Sequence, residues 1–152
     1  MDDASAYLGI MRLQRAYADI ATRNAWEEVP SIATPDARFS FDTRAGRVFE
    51  VDGPAEFGAF GAQANERFSF YEYIPLNFVV EIDGVDTAHG RSYSLEVALD
   101  RASGDWNEFY GTYQDEYALF EGTWRFSRRR YSTYGRRTEG RLESFPLQLP
   151  PL

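Results

Sequence analysis

The sequence predicts an α+β domain, with its helices mainly in the first half and a mostly antiparallel sheet in the second. Two observations carry this. Apolar residues recur at helical spacing near the start of the 152-residue chain, and from Tyr71 onward the pattern changes to long strand-like segments joined by short turn signals. The order helix, helix, strand, strand, helix, then four strands places the helices on one side of the sheet.

The first helix is expected from Ala4 to about Thr22, where Leu8, Met11, Tyr17 and Ile20 repeat at helical spacing and Asp2, Asp3 or Ser5 can cap. A second helical turn or two is expected over Ala25–Ala33, kinked or started by Pro30. Thr34-Pro35-Asp36-Ala37 reads as a turn into a strand at Arg38–Phe41, and Arg44-Ala45-Gly46 as a turn into a strand at Val48–Val51. Gly53-Pro54-Ala55-Glu56 starts the third helix, with proline at its tolerated first position and Phe57, Phe60 and Ala64 at helical spacing. Strands follow at Tyr71–Ile82, Thr87–Leu99, Glu108–Leu119 and Thr123–Thr133, joined by Asp83–Asp86, Ala102–Asp105 and Glu121-Gly122. The expected domain is residues 1–140. Residues 141–152 form a proline-rich, apolar tail unsuited to a central strand, which should lie on the body or on a partner subunit.

Composition excludes several functions. Cysteine and lysine are absent, all 16 bases are arginine, and His89 is the one histidine. Thiolate nucleophiles, Schiff-base chemistry and His-rich metal sites are therefore ruled out, and no GxGxxG or GxxxxGK[ST] indicates a nucleotide loop. No metal and no organic cofactor is expected. A net charge of -8 disfavours nucleic acid, because counterion release needs a basic face. No apolar run approaches the roughly 18 residues of a membrane helix, and no secretory signal opens the chain, so a cytoplasmic protein is expected. What remains is chemistry by carboxylates, tyrosines and arginines.

The most informative stretch is Gly111–Tyr131, two alternating segments around Glu121-Gly122 that read as a long β-hairpin. One face of its first arm carries Tyr113, Asp115 and Tyr117, polar tips that suit a cavity wall better than a plain core. The pattern G-x-Y-x-D-x-Y, then G-x-W-R-x-S-x-R, resembles the last two strands of SnoaL-like proteins, within the nuclear-transport-factor-2-like superfamily. Leu13-x-x-x-Tyr17, Ala25-Trp26, Thr34-Pro35-Asp36-Ala37, the step around Gly53, Asn77 four residues after Tyr73, and Ile82-Asp83-Gly84 extend the resemblance over roughly Tyr7–Tyr131. It implies a cone-shaped α+β barrel, a strongly bent sheet wrapped around three helices with a pocket at the open end. Dehydratase and dehydrochlorinase members use an aspartate near the end of the first helix and a histidine opening the third strand. This chain places Thr22 and Tyr73 at those positions, which removes the His–Asp dyad.

Candidate catalytic residues are Glu96, Tyr73, Asp115 and Arg129. In Thr87–Leu99, Glu96 shares a face with Ala88, Gly90, Ser92, Ser94 and Ala98. Small neighbours around one carboxylate leave room for a ligand and raise the acid's pKa by desolvation, or else they form a solvent or subunit surface. The resemblance favours the inward orientation. Tyr73 can donate as a phenol or serve as an aromatic wall. Asp115 can act on substrate or simply bond Arg129, whose guanidinium needs a carboxylate partner if buried. His89 reads as a surface or edge residue. Candidate substrate-binding residues are Tyr17, Phe39, Phe57, Phe60, Asn77, Phe109, Tyr113 and Tyr131, an aromatic supply suited to stacking.

The resulting expectation is a cofactor-independent lyase or cyclase/isomerase acting on a bulky apolar, aromatic or polycyclic small molecule. A non-catalytic binding protein and an epoxide hydrolase are the alternatives. Phe78, Val80 and Tyr93 are expected on an exposed sheet face that pairs subunits as a homodimer or trimer.

Overall fold

A computed structural model describes residues 2–152. In it Asp2 caps α1 (Asp3–Arg23), its carboxylate accepting the Ser5 N–H at 2.7 Å. Asn24 ends the helix in the left-handed region, φ 55°, where a short amide side chain is tolerated. The buried stripe of α1 includes Ile10, Leu13, Gln14, Tyr17, Ile20 and Ala21. It is a single helical face by spacing, and it packs against the sheet.

A short 3-10 helix, Trp26–Ser31, takes the place of a second α-helix. Pro30 lies inside it, and proline removes the N–H that a longer helix would need. Then come β1 (Ala33–Asp42), β2 (Val48–Asp52) and α2 (Pro54–Asn65). The sheet continues with β3 (Phe68–Ile82), β4 (Thr87–Asp100), β5 (Trp106–Phe120), β6 (Thr123–Thr138) and β7 (Arg141–Ser144).

The seven strands make one sheet in the order β2-β1-β6-β5-β4-β3, with β7 paired to β6. Every pairing is antiparallel except β1 with β6. The sheet stays open, since its end strands β2 and β3 do not meet. Register shifts interrupt the β3–β4 and β5–β6 ladders, and such bulges bend a sheet. Helix α1 lies against β3 and β6, and α2 against β1, β2 and the 3-10 helix. The helices thus fill the concave side. No helix of the described residues is long and apolar enough to cross a membrane.

Three sequence expectations are corrected. Thr34–Ala37 is extended chain within β1 and not a turn; the β1–β6 register shifts between Ala33 and Arg38. Proline is admissible there because no ladder partner on β6 is asked of those residues. Phe78 and Val80 pack toward the core, Phe78 stacking on Tyr7 of α1 at 5.3 Å, while Tyr93 sits on the other face against Tyr134. The last arm, β6, runs five residues past Thr133, and Glu139 and Gly140, both at positive φ, turn it into β7. Beyond β7 the tail lies on the body: the Phe145 N–H donates to the Tyr134 carbonyl at 2.8 Å, and an Arg91 Nη donates to the Pro150 carbonyl.

Candidate functional site

The concave face of the sheet carries two layers of functional side chains. In β4 the even positions Ala88, Gly90, Ser92 and Ser94 are buried, while their odd neighbours are half-exposed. Register brings Gly90 opposite Asp115, Ser92 opposite Tyr113 and Glu96 opposite Phe109. It also sets Asp115 beside Arg129, and Tyr113 beside Tyr131. Period-2 alternation then delivers all of these to the inside.

The deeper layer is an ionic knot. Arg129 is fully buried, and its Nε donates to Asp115 Oδ1 at 2.9 Å. One Nη donates to Gln14 Oε1 at 2.9 Å and to Ser92 Oγ at 3.3 Å. Gln14 Nε2 donates to Asp115 Oδ2 and to the Tyr117 hydroxyl, each at 2.8 Å, and that hydroxyl donates to Asp115 Oδ2 at 3.1 Å. The guanidinium carbon lies 4.1 Å from the Tyr17 ring centroid, 3.9 Å from Tyr113 and 4.2 Å from Phe126. Burial alone would lower the arginine's pKa, but Asp115 beside it raises it and keeps the charge. Asp115 and Arg129 therefore pair with each other, one Arg129 Nη is left without a hydrogen-bond partner among the described residues, and neither residue lines the cavity above them.

The upper layer is a cavity of about 480 Å³. Its walls are mostly aromatic: Tyr17, Trp26, Phe41, Phe49, Phe57, Phe60, Phe68, Tyr71, Phe109, Tyr113 and Tyr131. Gly61 and Gly111 make room for it. A Cβ on Gly111 would stand 2.2 Å from the Tyr131 ring, and one on Gly61 2.6 Å from the Trp26 ring. The cavity opens where its lining residues become exposed, at Gln63, Ala64 and Arg67.

Glu96 is the one carboxylate among the lining residues. The Tyr71 hydroxyl donates to its Oε2 at 2.8 Å. Burial raises its pKa from 4.5 to about 7, opposed by the Tyr71 bond and the more distant Arg129 charge. The surrounding phenols stay protonated: burial takes Tyr17 to about 12 and pushes Tyr71, Tyr113 and Tyr131 well above their ordinary value. A proton acceptor or donor tuned near neutrality thus faces a wall of hydroxyl donors. The Tyr17 and Tyr113 oxygens are 3.4 Å apart, and Thr133 Oγ1 donates to the Tyr131 hydroxyl at 3.1 Å.

Of the residues singled out from sequence, Glu96, Tyr17, Phe57, Phe60, Phe109, Tyr113 and Tyr131 come together on the cavity wall. Phe39 lies one layer behind, stacked on Phe57 at 4.3 Å. Tyr73 is buried edge-on to Tyr17 at 5.2 Å and does not line the cavity. Its N–H donates to Thr22 Oγ1 at 3.0 Å, so the two positions that hold the dyad in the resemblance are neighbours here, joined by a backbone clip. Asn77 is exposed on β3 and lines no part of the cavity. His89 pairs with Asp83 at 2.9 Å at the start of β4, and Asp19 with Arg23 at 2.8 Å on the solvent side of α1.

Sequence reasoning missed Tyr71 and Gln14. Signals existed for both: Tyr71 alternates with Tyr73 on one strand face, and Gln14 precedes Tyr17 by three on a helix.

A family model described as a SnoaL-like domain matches residues 2–130. The chain belongs to the SnoaL-like family. No curated protein matches it. Among solved structures, a proposed scytalone dehydratase from Novosphingobium aromaticivorans is similar at 18% identity, TM-score 0.82, with 98% of this chain and 97% of that one covered. The Kfla4162 protein from Kribbella flavida is similar at 20% identity, TM-score 0.79, covering 90% and 95%. Hexachlorocyclohexane dehydrochlorinase LinA-type3 from Novosphingobium barchaimii follows at 16% identity, TM-score 0.72, covering 97% of each chain. At these identities the likeness establishes the fold alone.

Proposed function

We propose that this protein is a cofactor-independent acid–base enzyme of the lyase or cyclase/isomerase type, acting on a bulky aromatic or polycyclic small molecule. The observation that carries the reading is Glu96: one carboxylate, hydrogen-bonded by Tyr71 and with its pKa pushed up to about 7 by burial, on the wall of a mostly aromatic cavity. As the carboxylate it takes a proton from a carbon of the bound molecule. The electrons released go to a leaving group, a new ring bond or a carbonyl oxygen, and the Tyr17, Tyr113 or Tyr131 hydroxyls hydrogen-bond the negative charge that develops. Arg129, charged and sandwiched behind Tyr17 and Tyr113, adds a positive potential from beneath. Proton transfer by a carboxylate and phenols calls for no metal and no organic cofactor. The reading takes the protein to be cytoplasmic.

A lone acid among phenols supports elimination or cyclisation over epoxide hydrolysis, which wants a second carboxylate at the water, and Asp115 is engaged by Arg129. A binding-only protein is the second reading, favoured by the Thr22–Tyr73 clip where relatives with known chemistry keep their dyad. Glu96→Gln decides between them. If Glu96 is the base, turnover of any substrate found by screening falls by roughly two orders of magnitude or more, and the wild-type rate rises with pH through a limb near 7. Wild-type turnover in Glu96→Gln rejects the assignment; ligand binding with no turnover of any screened aromatic substrate favours the binding protein.

A further inference from the structure

Two arginines lie on the lining of this aromatic cavity, at its open end: Arg67, in the turn just before β3, and Arg136, near the end of β6. Neither arginine belongs to the buried knot. Arg67 donates through Nε and one Nη to a single oxygen of Asp100, at 3.2 and 2.9 Å. The other Asp100 oxygen is taken by the Ala102 and Ser103 N–H groups, at 2.9 and 3.1 Å. Arg136 donates only its Nε, to Glu143 of β7 at 2.6 Å. Each guanidinium therefore keeps at least one nitrogen with no acceptor among the described residues, and both ion pairs are solvent-accessible and so weakly committed.

Both are also held in place. Arg67 lies 5.0 Å over the Phe68 ring, which lines the cavity, and Arg136 lies 5.4 Å over the Phe145 ring of the tail. Two pre-positioned forks beside an aromatic slot match a planar anion attached to a ring.

We propose that the substrate class is an aromatic monoanion, its ring among the phenylalanines and tyrosines and its anionic group between Arg67 and Arg136. The inference rests on the reading of this cavity as the substrate site, and it adds the charge of the ligand. Glu96, Phe109 and Arg136 stand in one row across β4, β5 and β6, so a ligand whose anion sits at the arginines brings its ring past Phe109 toward the base.

A pair of fluorescent probes of nearly equal shape separates the two claims: 8-anilino-1-naphthalenesulfonate, an anion, and neutral N-phenyl-1-naphthylamine. The neutral probe reports the cavity alone. The anion is expected to displace it, to bind about tenfold more tightly, and to weaken as salt rises. Arg67→Gln and Arg136→Gln should each weaken the anion about five- to tenfold and change the neutral probe less than twofold. Equal affinity of the two probes for wild type, or an Arg67→Gln/Arg136→Gln protein that keeps its anion affinity, overturns the anion claim while leaving the cavity reading intact. Failure of both probes to bind overturns both, whereas anion binding that leaves the neutral probe in place overturns the anion claim alone.

Discussion

Arg129 and Glu96 represent two ways of placing a charge inside this protein. Arg129 is paired, hydrogen-bonded and ringed by aromatic faces, and removing one partner leaves the other buried alone. Arg129→Met should cost about 3–5 kcal/mol in urea unfolding, and Arg129→Met with Asp115→Asn should cost less than that single change. A double variant no more stable than the single would mean the pair is not the coupled unit described. Glu96 has no cationic partner on the cavity wall, and burial raises its pKa from 4.5 to about 7. The folded state thus binds the proton more tightly than the unfolded chain does. Stability from this group is full below about 4.5 and is lost as pH rises through about 7. Glu96→Gln should therefore be more stable than wild type at pH 8, with the gain shrinking toward pH 4.5. A gain independent of pH in denaturant titrations would refute that account of Glu96.

Among the elements, the β5–β6 hairpin does the most to build the site. Its turn residues Glu121 and Gly122 both have positive φ, the conformation that matches strand twist in a two-residue hairpin. The resulting register puts Asp115 beside Arg129 and Tyr113 beside Tyr131. Gly111 then lets the Tyr131 ring lie against the β5 backbone. Gly111→Ala forces that ring aside, and overpacking of this kind costs typically 1–3 kcal/mol. The melting temperature should fall, and Gly111→Ala combined with Tyr131→Leu should recover much of the loss. No recovery in the pair would show that the strain lies in the backbone and not against the ring.

At the scale of the molecule, an open, bent sheet leaves apolar groups on its outer side. Phe70 and Trp106 stack at 5.7 Å while each stays more than 40% exposed, and Leu76 and Val79 of β3 are exposed too. Such a surface is what a subunit partner covers. We expect a homodimer of twice 17.4 kDa by light scattering at micromolar concentration, and a shift toward monomer in Trp106→Glu. A monomeric wild type would remove the subunit role assigned to this face.

The order of elements as far as β6 and the two-residue hairpin were legible in the residues alone, because alternation, helical spacing and positive-φ turn residues are local signals, and the family was legible from its motifs; β7, read as part of the tail, was not. The face on which Glu96 lies was favoured only by the resemblance, since the strand's own pattern offered small residues on one side and large ones on the other, and both are compatible with a core. Packing across the sheet decided it: Ser92 of β4 is buried against Asp115 and Arg129, and alternation along the strand then carries Glu96 to the same side. The division of labour between the two acids likewise depended on contacts between distant segments. Asp115 meets Arg129 across a hairpin and Gln14 across 101 residues, which settles it in the knot, while Glu96 meets only a phenol from β3. Local spacing encodes which residues can face inward; only the packed sheet and helix determine which of them find a partner and which remain available for chemistry.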